Sequence, residues 1–158
     1  MNEQVDAKLA ELGLTLPQAA APVAVYVPAV EAGGLLHISG QLPFRDGQVV
    51  TGRLGEDVSL EEGQEAARLC GLMLAAQIKA ALGGFERVRR IVKLGVFVNS
   101  APSFTDQPKV ANGASELMGA LFGESGRHAR SAVGVAALPL GAAVEVDAIV
   151  EVAGVETA

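Results

Sequence analysis

Tryptophan is absent from this chain of 158 residues, aromatic residues make up only 4% of it, and there is a single cysteine. Each shortage excludes something. With so few rings, the core has to be built from Ala, Val and Leu, with Gly allowing close approach, and small apolar strands of that kind also suit a subunit interface. The lone Cys70 excludes an internal disulfide and any zinc site built on several thiolates, and it fits a reducing compartment. Basic residues are few as well: 12 Lys and Arg stand against 18 Asp and Glu, for a net charge of −6. That balance disfavours nonspecific nucleic-acid binding, which depends on neutralising phosphates, and binding to an anionic membrane surface. No stretch has the length and unbroken apolarity of a membrane span. The opening "MNEQVDAKLAELG" carries acids early and lacks the apolar centre of a signal peptide, so a cytoplasmic location is expected.

Half of the residues are hydrophobic and 19% are charged, which is ample material for one core in a chain the size of one ordinary domain. The Pro- and Ala-rich "LPQAAAP" (16–22) is the one linker-like piece. It divides the chain into an N-terminal helix and linker, 1–20, and a single domain, 21–158. Within the first part, 2–14 reads as a short amphipathic helix. Asn2 is its expected N-cap, Val5, Leu9 and Leu12 form its stripe, and Gly13 is its stop.

"VAVYVPAV" (23–30) is rich in β-branched residues and reads as a strand, with Pro28 suggesting an edge or a bulge. A turn over "EAGG" leads to a second strand, "LLHISGQLP" (35–43). Asp46-Gly47 then marks a tight turn within "FRDGQVV". The clearest helix spans 59–84. Ser59 and Glu62 form a capping box, Ala66, Leu69, Met73, Ala76 and Ala80 lie on one face, and Gly83-Gly84 ends it. Its length would be about 30–35 Å. "VRRIVKLGVFVN" (88–99) is a strand with a basic start. The segment 105–123 is a second helix, capped by Thr105 or Asp106, with Pro108 in its first turn. "SAVGVAALP" (131–139) and "AVEVDAIVEV" (143–152) read as the last strands, joined as a hairpin.

This order predicts an α+β fold with two helices on one face of a sheet. The other face must be covered in some other way or meet water. In the last strand Val144, Val146, Ala148, Val150 and Val152 alternate onto one side, while Glu145, Asp147, Ile149 and Glu151 take the other. Arg87, Arg89, Arg90 and Lys93 on a neighbouring strand could supply cations to those acids. His37 reads as a core or interface residue, and Cys70 as a small core residue.

The chain has no HExxH, phosphate loop, GxSxG or CxxC. What stands out is "GRHARSAVGVAALP" (126–139), where Arg127, His128 and Arg130 crowd the mouth of an apolar strand. "ARSAVGVAALP" followed by "VEVDAIVEV" resembles the C-terminal signature of the YjgF/YER057c/UK114 family, also called the Rid, or reactive intermediate deaminase, family. "ISGQLP" (38–43) resembles its early Ser-Gly-Gln strand, "GLLHISGQLPFRDGQVV" its hairpin, and "ERVRRIVKLGVFVNS" its central strand. The resemblance runs over roughly residues 22–152.

The resemblance implies a chorismate-mutase-like fold and a homotrimer with clefts between subunits, needing no metal or organic cofactor. It implies that Arg130 grips the carboxylate of a small 2-imino or 2-oxo acid, which suits a planar guanidinium. Glu145 would hold and polarise water. Tyr26, as a strand tyrosine, and Asn112 would hydrogen-bond near the substrate, and Gly40 would line the cleft with backbone. The implied reaction is hydrolytic deamination of reactive enamines and imines such as 2-aminoacrylate. The residues alone also admit Arg130 in a subunit salt bridge and Glu145 as one member of an acidic face. The chain departs from the family pattern in four places. Ala132 stands where many relatives have cysteine, Ala24-Val25 replaces a Gly-Pro before Tyr26, His128 replaces a proline or alanine before Ala-Arg and is a candidate substrate contact that could change substrate preference, and the N-terminal helix is additional. These departures leave a noncatalytic trimer that binds small carboxylates as the alternative function, with ribonuclease activity a third.

Overall fold

A computed structural model describes residues 1–22 and 24–155. Helix α1 (Asn2–Glu11) is followed by strands β1 (Ala29–Ala32) and β2 (Leu35–Gln41), and by a small hairpin of β3 (Phe44–Arg45) and β4 (Gln48–Val49). Helix α2 (Leu60–Leu82), strand β5 (Val88–Asn99), helix α3 (Gln107–Phe122), and strands β6 (Ala129–Val135) and β7 (Val144–Val152) complete the chain.

Local chemistry accounts for most boundaries. The Ser59 hydroxyl accepts from the Glu62 amide at 3.1 Å, and the Glu62 carboxylate accepts from the Ser59 amide at 2.8 Å, which closes the capping box that starts α2. Gly83 ends the helix in the left-handed conformation, at φ 75°. Asp46 and Gly47 both have positive φ, as the turn between β3 and β4 requires. Helix α1 begins at Asn2 rather than being capped by it. The Asn2 side chain instead accepts a hydrogen bond from the Phe85 amide, tying α1 to the end of α2. Val5 and Leu9 of α1 are buried in the same core as the two long helices.

The main sheet has the order β1-β2-β7-β5-β6. All pairs are antiparallel except β5 with β6, which are parallel and joined by α3. The expected hairpin between the last two strands is therefore not formed. Strand β6 leaves through a 3₁₀ turn at Pro139–Gly141, and β7 enters the middle of the sheet between β2 and β5. The reason lies in side-chain burial. Every second residue of β7 is buried, and its nine residues pair along both edges, whereas β6 is short, built of small residues, and partly exposed on both faces.

Helix α2 lies over β7 and β2, and α3 over β5 and β6, so both long helices cover the same face. They approach closely at Gly113, where a methyl group would collide with the backbone carbonyl of Gln64. Among the described residues no element covers the opposite sheet face. His37, Lys93, Phe97, Ser131 and Asp147 line a shallow hollow of about 480 Å³ there, so His37 is an exposed face residue and not a core one.

Two other expectations need correction. The 23–30 strand is displaced to 29–32. Val23 lies outside the described residues, and residues 24–26 form bends before Pro28. Pro28 lacks an N–H to give a ladder, so pairing begins only after it. Of the basic strand only Lys93 acts on the acids of β7, its charge lowering the pKa of Asp147, and no ion pair joins the two sets among the described residues. Arg87 pairs with Glu31 of β1, and Arg90 donates to the Arg127 carbonyl at 2.9 Å. No helix among the described residues is long and apolar enough to cross a membrane.

Candidate functional site

The six candidate residues fall into two groups on different parts of the chain. In the first, Arg130 is the second residue of β6. Its register partner on β5 is Leu94, whose own partner on β7 is Ala148, and both are buried beneath the helices. Arg130 therefore projects on the helix side, at the sheet edge, where α3 meets it. Asn112 and Ser115 lie three residues apart on α3 and so share a helix face. The Arg130 Nη1 donates to Asn112 Oδ1 at 2.9 Å and to Ser115 Oγ at 3.1 Å, and Nη2 donates to the Pro108 carbonyl at 3.2 Å. All three acceptors are neutral, and no carboxylate among the described residues forms an ion pair with Arg130.

A guanidinium carries five N–H donors. Three are used, which leaves Nε–H and one N–H of Nη2 without partners among the described residues. A cation fixed by neutral oxygens and still holding donors on adjacent nitrogens can receive a planar anion through two parallel hydrogen bonds. His128 stands beside it but is already engaged at both ring nitrogens. Nδ1 is 2.6 Å from the Gly126 carbonyl, and Nε2 is 2.8 Å from Ser115 Oγ.

Glu145 heads the second group. In β7 it pairs with Phe97, whose β6 partner is Val133, 47% exposed on the uncovered face. Its carboxyl lies against Gly40 of β2, where any β-carbon would come within 2.6 Å of Oε1. Gly40, Glu145 and Tyr26 line one small hollow together with Ala20, Ala21 and Pro139. Tyr26 reaches it from a bend and not from a strand, and is 45% exposed. The segment is pinned by Ser39, whose hydroxyl donates to the Val27 carbonyl at 2.8 Å and whose amide donates to the Pro28 carbonyl at 2.9 Å. Burial pushes the Glu145 carboxyl above the usual carboxylate range, and the nearby charge of Asp147 pushes it further. Asp147 is itself raised by burial, against the Gly95 amide and the charge of Lys93, which lower it.

Arg130, Asn112 and His128 thus come together, as do Tyr26, Gly40 and Glu145, but the two groups do not meet within one chain. Ser115 is a member that sequence reasoning missed. The one available signal was its spacing of three from Asn112. No group of three His, Cys, Asp or Glu among the described residues is placed to hold a metal ion.

A mixed sheet with two helices on one face and a parallel β5–α3–β6 crossover defines the chorismate-mutase-like class of fold. Residues 6–152 match the family model described as "YjgF/chorismate_mutase-like, putative endoribonuclease". The chain belongs to this YjgF family. It is 59% identical over 150 residues to Protein TCP17 of Trypanosoma cruzi, covering 94% of each chain. It is 30% identical over 139 residues to a 2-iminobutanoate/2-iminopropanoate deaminase of Dermatophagoides farinae, covering 87% of this chain and 93% of that one. Among solved structures it resembles the protein Atu1372 of Agrobacterium tumefaciens, of unknown function, with a TM-score of 0.91 and 49% identity over 96% of this chain and 94% of that one.

Proposed function

We propose that the protein hydrolyses reactive 2-imino acids, and the enamines that tautomerise to them, to 2-oxo acids and ammonia. The site would be shared between two protomers of a homotrimer. The observation that carries this reading is the state of Arg130, oriented by three neutral oxygens with donors left for a carboxylate. Membership of the YjgF family and the 30% identical relative named as an imine deaminase support the chemistry.

Arg130 holds the substrate carboxylate, and Asn112 and Ser115 hold Arg130. Glu145 of the adjacent protomer holds a water molecule and accepts its proton as the oxygen bonds to the imine carbon. Glu145 passes that proton to the nitrogen, the new hydroxyl gives up the second, the C–N bond breaks, and ammonia leaves, while the carbon keeps the oxygen as the 2-oxo group and Glu145 is again a carboxylate. The raised pKa of Glu145 suits it to exchange a proton nearer neutrality than an ordinary carboxylate would. The separation of the two groups within one chain supports sharing between protomers, and a trimer would also cover the bare sheet face. A single, buried Cys70 is at home in a reducing compartment and supports a cytoplasmic location.

The endoribonuclease label of the family model is the competing reading. The net charge of −6, and the absence of Phe, Tyr and Trp among the described residues lining the hollow beside Arg127 and Arg130, favour a small carboxylate over RNA.

The test is ammonia release from 2-iminobutanoate generated in the assay. Wild-type protein accelerates it and Arg130→Ala abolishes the acceleration while the assembly persists. No acceleration, with carboxylate binding that still depends on Arg130, would leave a noncatalytic binder instead.

A further inference from the structure

We infer that Ser115 and His128 are positioning residues that tie the grip of Arg130 to the protonation of the imidazole, so that carboxylates bind more tightly when His128 is charged. This rests on Arg130 being the carboxylate ligand.

One line of hydrogen bonds runs from the Gly126 carbonyl through His128 and Ser115 to Arg130. A backbone carbonyl can only accept, so the 2.6 Å contact with the Gly126 oxygen requires His128 Nδ1 to carry its hydrogen. Gly126 cannot easily back away. The turn that holds it is packed on α3 so closely that a methyl group on Gly126 would strike the Met118 carbonyl. In the neutral ring Nε2 is then bare and must accept. Its partner at 2.8 Å is Ser115 Oγ, whose one proton therefore points at the ring. The lone pairs of the same oxygen face Arg130 Nη1 at 3.1 Å.

When the ring takes up a proton, this line has to rearrange. Nε2–H now donates to Ser115 Oγ, which accepts from both the imidazolium and the guanidinium. The hydroxyl proton is released from the ring and can turn toward an anion. A second positive charge also arrives, since both cations contact the same oxygen. In the empty site the two cations repel, whereas a bound carboxylate sits in the field of both. By linkage, a charged ring strengthens carboxylate binding, and carboxylate binding favours the charged ring by the same factor.

In the proposed site Glu145 of the adjacent protomer faces the same substrate, and the nearby charged groups of the chain itself are these. Arg130 lies on β6. Arg127 lies in the turn and is paired with Glu124 at 3.5 Å. From β5, Arg90 donates to the Arg127 carbonyl. Glu116, next to Ser115 in sequence, lines a separate groove with Arg68 and Glu65 of α2.

The experiment is calorimetric titration of the full-length protein with 2-oxobutanoate at pH 6 and pH 8. For partly exposed charges at this separation, wild type binds about three- to tenfold more tightly at pH 6. His128→Gln loses that pH dependence and keeps the weaker affinity. Ser115→Ala binds more weakly throughout and has a shallower pH dependence. Wild type also takes up protons on binding near pH 7, measured by repeating the titration in buffers of different ionisation heat. That readout needs no variant to fold. Arg130-dependent binding with a flat pH profile and no proton uptake overturns the relay and leaves the Arg130 site standing. Binding that is absent, or unchanged in Arg130→Ala, overturns the site and the relay together.

Discussion

Arg130 and Glu145 leave the same sheet on opposite faces. Arg130 lies in a row with Leu94 and Ala148 beneath the helices, while Glu145 lies in a row with Phe97 and Val133 on the bare side. Paired residues of neighbouring strands point the same way, so no rotamer brings this guanidinium and this carboxylate together within one chain. If both act on one substrate, they come from two copies.

Mixing tests that relationship directly. Arg130→Ala and Glu145→Gln are each inactive alone. When the two are unfolded together and reassembled in equal amounts, activity returns to about a quarter of wild type, the fraction of ring interfaces pairing an intact Arg130 with an intact Glu145. No recovery, in a mixture shown to contain hetero-oligomers, would refute the shared site.

Gly40→Ala should damage catalysis without touching the carboxylate grip. The added methyl falls within 2.6 Å of Glu145 Oε1 and has to move the carboxyl. A displacement on the ångström scale costs about a hundredfold in kcat. Binding of 2-oxobutanoate, which reports on Arg130, stays within about twofold of wild type, since in the proposed site the carboxylate is held by Arg130 and Glu145 holds only the water. Steady-state kinetics and calorimetry on the same variant check both halves.

The pH profile should carry the signature of Glu145. Burial first and the Asp147 charge second raise its pKa, so activity that needs the ionised carboxylate falls away at a higher pH than an ordinary glutamate would give. Asp147→Asn removes the second cause and moves this acid limb of kcat/KM to lower pH. The same shift has a stability consequence of definite sign. A carboxyl whose pKa is raised on folding favours the folded state at low pH, and that contribution is lost as pH rises through the raised value. Glu145→Gln should therefore melt at a higher temperature than wild type at pH 7, with the gap closing toward pH 4.

The contact between the helices gives a pure stability prediction. Gly113→Ala places a methyl against the Gln64 backbone and costs about 1–3 kcal/mol by overpacking, even though alanine is the better helix former. Ser59→Ala, which removes the α2 cap, costs about 1 kcal/mol. Urea denaturation of both variants ranks them, and a neutral Gly113→Ala would mean that α2 and α3 pack less closely than described.

The amino-acid sequence by itself determined the local structure. Ser59, Glu62 and Gly83 bound α2 because caps act within a few residues, Asp46-Gly47 turns the small hairpin, and the period-two pattern of 144–152 sorts β7 into a buried and a polar side. Its resemblance to the family also marked Arg130, Glu145, Asn112 and Gly40 as candidates. What it left open was everything that depends on distant partners. Tertiary structure decided that β7 inserts between β2 and β5 instead of folding back on β6, because a strand with one wholly buried side gains most at the centre of the sheet. It decided that Tyr26 sits in a bend, since Pro28 delays pairing, and it brought Ser115 into line between Arg130 and His128. Local periodicity tells which side of a strand is apolar, but not which strands lie beside it or which face a helix will cover. That non-local choice is what sets Arg130 and Glu145 on opposite sides of the sheet.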